Sequence, residues 1–332
     1  MSAKAHRAAQ QDDRVSVASA KISDEPTSKS SKFRIRKNEP IPEGIKRIVA
    51  GQIDKGIERL GSAELDDDEA IHDARVCSKK IRAVLRLVRG ELERKAYKRE
   101  NACFRDAARR LSHVRDTAAL VEILDKVRAK CPDECEPATV DYIRSLLIGT
   151  ERKEKALKRG AMTEASTVFS QARERVADWP IREDAFRTLK PGLKKTYARG
   201  RSAFHKAFEE PSGENFHQRR KEAKRLLYQS KILRSGWPKM LKAFSLEIGE
   251  LADHLSVDHD LAALRRAISA MPPTSELPAV GIESLLSLIA RARLEARAGA
   301  RLLGDRIYAE KPAVFTRRMG GYWDSSRRKG MS

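Results

Sequence analysis

The amino-acid sequence predicts an all-α protein. Apolar residues recur at helical spacing through much of the chain. A representative run is Ile45, Ile48, Val49, Ile53, Ile57 and Leu60. Proline and glycine separate such segments, and no stretch sustains the alternation of apolar and polar residues that is typical of a strand. Hydrophobic residues make up 40% of the 332 residues, which is enough for a sizeable core.

Capping residues predict where the helices begin and end. Pro42 suits the first turn of a helix that begins near Ile41, and Gly61 predicts its end. Asp66 to Asp68 provide an N-cap and first-turn acids for the next helix. The following helices of the first half are predicted at about 66–94, 96–112, 114–130 and 137–158. Those of the second half are predicted at about 182–209, 214–235, 239–256, 259–270 and 280–309.

The two ends of the chain differ in composition from its middle. Residues 1–40 are rich in Ser, Lys, Asp, Gln and Ala, and are predicted to form a disordered leader. Residues 311–332 are predicted to form a mobile basic tail. The folded region is therefore expected to cover residues 41–310.

The net charge of the chain predicts a polyanionic partner. Sixty-eight Lys and Arg residues against 47 Asp and Glu give a net charge of +21. This balance favours nucleic acid, an anionic membrane surface or another phosphate-rich polymer. The first 30 residues lack the apolar run of a secretory signal, and no 18 consecutive apolar residues could cross a membrane. We therefore expect a cytoplasmic protein without a membrane partner.

The cysteines do not predict a metal site. Cys131 and Cys135 are closely spaced, but they form no CxxC pair and no histidine pair lies near them. Cys77 falls on an apolar helix face and is expected to be a small core residue. We expect neither a metal nor a cofactor.

One predicted helix carries a line of positive charge. His72, Arg75, Lys79, Arg82 and Arg86 fall within an arc of roughly 80° on a helix, opposite an apolar stripe. The line would extend about 21 Å at 1.5 Å per residue. Residues 72–90 contain six Lys or Arg and one acid, whereas solvated helix faces usually mix signs. This helix is therefore predicted to bind a long anion.

The same pattern recurs in the second half of the chain. H-x-x-R-x-x-x-K-K beginning at His72 recurs as H-x-x-R-x-x-x-K-R beginning at His217, an offset of 145 residues. LSHVRDTAAL at 111–120 recurs as LSVDHDLAAL at 255–264, an offset of 144. The chain is therefore predicted to contain two copies of one helical unit, at about 41–160 and 180–310. The second basic line comprises His217, Arg220, Lys221, Lys224, Tyr228 and Lys231.

These motifs resemble those of the CHAD family, the conserved histidine α-helical domain. IHDARVCSKKIR resembles its first signature and HQRRKEAKRLLY its second, while LSHVRD and LSVDHD resemble its turn motifs. YARGRSAF at 197–204 resembles a family segment that precedes the second basic helix. The resemblance covers about residues 41–310. Ser112 and Ser256 stand where the family usually has a turn glycine, and Leu227 where it has a basic residue.

The resemblance implies two four-helix bundles related by pseudo-twofold symmetry around a central basic channel that binds inorganic polyphosphate. It implies that the ligand contacts His72, Arg75, Lys79, Lys80, Arg82, Arg86, Lys195, Tyr197, Arg199, Arg201, His217, Arg220, Lys221, Lys224, Arg225, Tyr228 and Lys231. Some family members are fused to a triphosphate-processing domain with the motif E-x-E-x-K. ERKEK at 151–155 does not fit this spacing, so no such enzyme is implied.

Nucleic acid is the alternative ligand, because guanidinium and ammonium groups contact both kinds of phosphate polymer. Single-stranded nucleic-acid sites usually add aromatic side chains for base stacking. Aromatic residues make up only 5% of the chain, and none lies between Ile71 and Arg94. The chain also has no phosphate loop of the form GxxxxGK[ST]. We therefore expect a non-catalytic polyphosphate-binding protein that is associated with polyphosphate granules, its oligomeric state left open.

The roles of several residues remain open at this stage. His72 and His217 could donate hydrogen bonds to phosphate or only shape the start of each helix. Tyr228 could contact phosphate or pack in the core. The pairs Arg115-Asp116 and His259-Asp260 are expected to open helices, where they serve in N-capping and in an intramolecular ion pair.

Overall fold

A computed structural model of the chain describes residues 33–113, 116–149, 155–271 and 279–328. The described residues form eleven α-helices and no strand, which confirms the all-α prediction. The first six helices are α1 (Ile41–Gly61), α2 (Asp67–Leu87), α3 (Arg94–His113), α4 (Asp116–Lys130), α5 (Pro137–Gly149) and α6 (Lys155–Arg175). The last five are α7 (Lys190–Glu209), α8 (Gly213–Ile232), α9 (Pro238–Ser269), α10 (Ala279–Ile307) and α11 (Pro312–Arg328).

Polar side chains cap the two basic helices, α2 and α8. Asp66 is the N-cap of α2, and its carboxylate accepts a hydrogen bond from the Asp68 N–H at 3.2 Å. Ser212 is the N-cap of α8, and its hydroxyl accepts from the Asn215 N–H at 3.1 Å. These contacts satisfy backbone donors that have no partner within the helix. The capping role predicted for Asp66 is confirmed.

Helices α1, α2, α3 and α6 pack into a four-helix bundle. Helix α2 contacts α1 and α3, and α6 completes the bundle by packing on the same two helices. Phe169 of α6 lies against Gly56 of α1 and edge-on to Phe104 of α3, with ring centroids 5.4 Å apart. A Cβ on Gly56 would lie 2.2 Å from the Phe169 ring, so the small residue allows the aromatic ring to enter the bundle.

The remaining helices, which include α4 and α5 from earlier in the chain, form the other half of the molecule. Helix α8 packs between α7 and α9, and α10 packs along α9. Helices α4 and α5 pack together, and α4 also packs on α9. They share a separate apolar cluster with α9 and α10 that includes Leu124, Ile143, Leu264 and Ile289. The two halves meet where α2 contacts α7 and α8.

The middle of the chain differs from the prediction in two ways. The predicted helix 137–158 ends earlier, at Gly149, and a separate helix, α6, extends to Arg175. Helix α9 is continuous, although the sequence predicted two helices with a turn between them. Ser256 stands at the expected turn, and its hydroxyl donates to the Ala252 carbonyl at 2.7 Å inside the helix. His259 and Asp260 therefore lie within α9 and cap no helix, so the prediction is wrong for this pair. Of the other pair, Asp116 begins α4 and Arg115 lies outside the described residues.

The two ends of the described chain are more ordered than predicted. Ile35 is fully buried, and its N–H donates to the Ile232 carbonyl of α8 at 3.1 Å. Residues 312–328 form α11, whose Phe315, Met319 and Trp323 are buried at helical spacing. The predicted leader is thus wrong for 33–40, and the predicted mobile tail is wrong for 312–328. Residues 1–32 and 329–332 lie outside the described residues.

Membrane spans and metal-binding clusters are both absent from the described residues. No helix there is long and apolar enough to span a membrane. No three His, Cys, Asp or Glu side chains there are grouped in a way that could hold a metal ion.

Gly192 lets α7 begin directly against the end of α2. A Cβ at this position would lie 2.1 Å from the Leu87 carbonyl oxygen and 2.4 Å from that of Arg86. Because these are backbone atoms, we expect Gly192→Ala to push α7 away from α2 and destabilise the fold by about 2–3 kcal/mol. Urea unfolding would measure this loss.

The matched control for this variant is Gly213→Ala, at the start of α8. A Cβ on Gly213 meets nothing within 4 Å, so this change should be neutral or slightly stabilising. Equal stabilities of the two variants would show that the close contact between α7 and α2 does not require glycine.

Candidate functional site

Helices α2 and α8 lie in contact and bring basic side chains from both halves together. Gln229 of α8 donates from Nε2 to the Ala83 carbonyl of α2 at 3.0 Å. Burial lowers the pKa of Arg82 and Arg86, and the charge of Arg225 on α8 lowers both further. Burial also lowers the pKa of Lys221 on α8, and the charges of Arg225 and Arg82 contribute to this shift. We call Arg82, Arg86, Lys221 and Arg225 the α2–α8 basic surface.

One carboxylate lies under this surface. Glu222 is only 2% exposed, and it accepts hydrogen bonds from the Arg225 guanidinium and from Gln218 Nε2, the latter at 2.7 Å. The pair fixes the position of Arg225 from below. Burial lowers the pKa of the neighbouring Arg86 to about 10, and the charge of Arg225 contributes to the same shift. The surface therefore keeps an excess of positive charge.

Helix α3 borders the basic surface beside Arg82. Asn101 of α3 accepts from Arg82 Nε through its Oδ1 at 3.3 Å, and Arg105 also lowers the pKa of Arg82. The Arg86 guanidinium donates to the Arg82 carbonyl at 3.0 Å. Helical periodicity does not tell which helices are neighbours, so the sequence did not predict that α3 borders this surface.

A second group of charges lies between α8 and α9. Arg220 donates from Nε to the Ser256 hydroxyl at 3.0 Å. One turn later, burial and the charge of Arg220 lower the pKa of Lys224 to about 8. The two aspartates that oppose this shift, Asp253 and Asp260, are on α9. We call Arg220, Lys224, Asp253 and Asp260 the α8–α9 charge cluster.

Burial also shifts the two aspartates of this cluster. It raises the pKa of Asp253 to about 6, although Lys224 and Lys231 act against the shift. It raises the pKa of Asp260 against the opposing charges of Arg220 and Lys224, and, more weakly, of Lys126 and Lys79. Since Lys79 belongs to α2, the cluster adjoins the first basic line as well as the second. The spacing of Asp253, Ser256 and Asp260 puts them on one helix face, and this pattern in the sequence could have located the cluster.

His217 and His259 stack on each other beside the cluster. Their ring centroids are 4.6 Å apart, and the rings are inclined by 24°. Burial, together with positive neighbours led by Lys221 and Arg220 respectively, lowers the pKa of each imidazole to about 4. Both rings are therefore neutral near pH 7, where they can offer hydrogen bonds but no charge.

The structure places most of the predicted site residues on accessible parts of α2 and α8. His72 and Lys221 are exposed. The half-buried members of the set are Arg75, Lys79, Lys80, Arg82, Arg86, His217, Arg220, Lys224, Arg225, Tyr228 and Lys231. Leu227, where the family usually has a basic residue, is buried in the core.

The residues predicted on α7 divide into two groups. Lys195 and Arg199 are exposed, and Arg89, just after α2, combines with Arg199 to lower the pKa of Lys195. Tyr197 is fully buried, and its hydroxyl donates to the Ile307 carbonyl at 2.9 Å. Arg201 donates from Nε to the Tyr308 carbonyl at 3.1 Å. The prediction that Tyr197 binds the ligand is wrong, because a buried ring cannot reach a polymer. Arg201 instead holds the segment that follows α10.

The segment before α1 covers part of the junction between α2 and α8. The Phe33 ring lies edge-on to Tyr228 of α8, with centroids 6.2 Å apart. The Lys80 ammonium of α2 lies 5.5 Å from the centroid of the same Phe33 ring. Burial raises the pKa of Tyr228 to about 12. In this structure Tyr228 therefore serves packing, which was one of its two predicted roles.

A comparison with known protein families identifies the family of this chain. The family model described as the CHAD domain matches residues 47–269, from α1 through the end of α9. The chain belongs to the CHAD family. The CHAD match includes both basic helices and the α8–α9 charge cluster, whereas Phe33, α10 and α11 lie outside it. A comparison with curated proteins finds no match to the sequence.

The stacked histidines predict how stability depends on pH. Because their pKa values are lowered to about 4, the unfolded chain binds more protons than the folded chain between about pH 6.5 and about pH 4. The stability that the neutral pair contributes is present above this range and is lost as the pH falls through it. Asp253 acts in the opposite direction, because its raised pKa favours the folded state on acidification.

We therefore expect the double variant His217→Gln/His259→Gln to lose less stability than the wild type between about pH 7 and about pH 5. The difference in Tm should be on the order of 2–4 °C in scanning calorimetry. His205→Gln, at an exposed position on α7, is the control. The same pH dependence in the double variant and the wild type would contradict this interpretation of the pair.

Proposed function

We propose that this CHAD protein binds inorganic polyphosphate on the α2–α8 basic surface and the adjoining α8–α9 charge cluster. The observation that carries the proposal is the contact between α2 and α8, which gathers Arg82, Arg86 and Arg225 closely enough to lower the pKa of two of them. Like charges held together raise the free energy of the unliganded protein, and a bound polyanion would relieve that repulsion. The CHAD family is associated with polyphosphate binding, which supports the same ligand.

A two-copy organisation with a central channel is part of this proposal. The motifs that begin at His72 and His217 lie on α2 and α8, and these helices contact each other. A pseudo-twofold axis between them would direct both lines of charge into one channel. The half-buried state of Lys79 and Lys224 is consistent with a recessed site.

Polyphosphate is favoured over nucleic acid by the state of the aromatic side chains near the site. Among the described residues there, Phe33 and Tyr228 pack against each other, and the Arg89 guanidinium lies 4.9 Å from the Tyr97 ring centroid. These rings are engaged in contacts of their own, whereas base recognition usually needs open stacking surfaces. A polymer without bases needs only the cations.

We propose binding without catalysis. Phosphoryl transfer usually employs a phosphate loop or carboxylates that bind metal ions. The sequence has no such loop, and Asp253 and Asp260 lie beside Arg220 and Lys224, whose charges they compensate. We also propose that the protein acts in the cytoplasm in association with polyphosphate granules.

The ligand is tested by competition. We expect labelled long-chain polyphosphate to be displaced by unlabelled polyphosphate at a lower phosphate concentration than by RNA or DNA, measured by fluorescence anisotropy. Affinity should fall on the order of 100- to 1,000-fold between about 50 and about 200 mM NaCl, because each phosphate contact releases counterions. Equal competition by nucleic acid would favour the alternative ligand, and binding that is insensitive to salt would argue against an electrostatic site.

A shared site is tested by reversing charge on one helix at a time. Arg82→Glu on α2 and Lys221→Glu on α8 should each lower the affinity of the whole molecule on the order of 10-fold, with unchanged stoichiometry. Isothermal titration calorimetry measures both quantities. If the helices formed two independent sites, either variant would instead lose half of its capacity and keep full affinity at the rest.

Lys46→Glu is the matched control for these reversals. It makes the same change in net charge on α1, where the exposed Lys46 ammonium donates to the Ala177 carbonyl at 2.6 Å. Its affinity for polyphosphate should stay within about 2-fold of the wild type, because Lys46 belongs to neither basic line and its ammonium is engaged with the Ala177 carbonyl.

A further inference from the structure

The α8–α9 charge cluster presents two carboxylates to any phosphate polymer that reaches Arg220 and Lys224. Asp253 and Asp260 are seven residues apart on α9, about two helical turns, so both lie on the side of α9 that faces α8. Both are half-buried, so their charges are screened less than those of surface groups. Each carboxylate would repel a ligand phosphate bound beside it.

The aspartates compensate the neighbouring cations through space and not by direct ion pairs. Arg220 uses its Nε to bind the Ser256 hydroxyl at 3.0 Å. Within the described residues, neither Asp253 nor Asp260 is joined to Arg220 or Lys224 by a hydrogen bond or an ion pair. A carboxylate in this position can accept a proton without breaking a bond that holds the fold. Its proton affinity then depends on which charges lie beside it.

We propose that Asp253 and Asp260 link polyphosphate binding to proton uptake, so that they determine the pH range in which the site binds the polymer. In the free protein the ionised aspartates balance Arg220 and Lys224. In the complex the phosphates take over this role, and the aspartates become protonated. This inference rests on the proposed function, because it concerns the same site and the same ligand.

The direction of the effect follows from the free protein. Burial raises the pKa of Asp253 to about 6 and lowers that of Lys224 to about 8. Phosphates nearby raise both pKa values further, because they disfavour the carboxylate and favour the ammonium ion. Binding therefore takes up protons mainly at Asp253 near neutral pH and mainly at Lys224 in more alkaline solution. Affinity should increase as the pH falls from about 8 to about 6.

Other charged groups face the two aspartates and bear on this linkage. Asp253 faces Lys224 and Lys231 of α8, and Glu250 of its own helix. Asp260 faces Arg220 and Lys224 of α8, Lys126 of α4 and Lys79 of α2. The stacked pair His217 and His259, with pKa values of about 4, remains neutral between pH 6 and pH 8. These pKa values lie well below that of Asp253 in the free protein, so bound phosphate protonates the histidines less than the aspartate in that range.

Proton uptake is measured by isothermal titration calorimetry with long-chain polyphosphate at about pH 7, in two buffers that differ in ionisation enthalpy. For the wild type we expect uptake on the order of one proton per bound protein. The double variant Asp253→Asn/Asp260→Asn should take up fewer protons and bind at least several-fold more tightly. Removing the aspartates lowers the pKa of Lys224 further, so a second titration at about pH 6, where Lys224 stays protonated, separates its proton uptake from theirs. The polymer ends can also take up protons, so the difference between variant and wild type is the decisive quantity.

The control is Asp178→Asn/Asp324→Asn, which removes the same charge from two exposed positions. It should keep the proton uptake and the pH dependence of the wild type. Binding by the wild type with no proton uptake would overturn the inference, as would equal uptake by the wild type and the Asp253→Asn/Asp260→Asn variant. Absence of polyphosphate binding at every pH would overturn the proposed function instead. Should the variant fail to fold, the wild type and the two single variants give the same test.

Discussion

The contact between α2 and α8 is the constraint on which the rest of the structure depends. It joins the two halves of the chain and places arginines from both halves side by side. Such a contact is stable because its core-facing side buries apolar side chains and gives its buried polar groups hydrogen-bond partners. Leu226 and Leu227 of α8 belong to the same buried apolar cluster as Ile81 and Val84 of α2, and the Gln229 amide reaches the Ala83 carbonyl across the helices. The electrostatic repulsion on the outer side is thus offset by burial on the inner side.

The cations of α8 are compensated in two different ways. Arg225 has a direct partner in the buried Glu222, and such a pair fixes geometry because breaking it would leave a buried charge. Arg220 and Lys224 have partners that act over a distance, Asp253 and Asp260. A direct pair keeps its protonation state, whereas charges balanced at a distance respond to each new neighbour. Helix α8 therefore carries one cation with a fixed position, Arg225, and two whose electrostatic balance changes with their surroundings, Arg220 and Lys224.

Local rules predicted much of the fold and part of the site. Helical spacing and capping residues predicted α1, the start of α2 at Asp66 and the burial of Cys77, because these features depend on neighbours along the chain. Helix α11 was predicted as a mobile tail because its composition is basic, although Phe315, Met319 and Trp323 form a buried line along it. The site was predicted only as two lines of charge. A motif match could not tell that Tyr197 points inward, and periodicity could not tell that α3 and α9 border the surface.

The segment before α1 has a consequence for how this protein can be shortened. Phe33 and Ile35 lie ahead of the CHAD match, which begins at residue 47, yet they cover side chains of both basic helices. A fragment trimmed to the limits of the family would uncover the Tyr228 ring and the end of α8 at Ile232. It would also remove α10 and α11, and with them the aromatic partners of Tyr197. The boundary of the family and the boundary of the folding unit are therefore different in this chain.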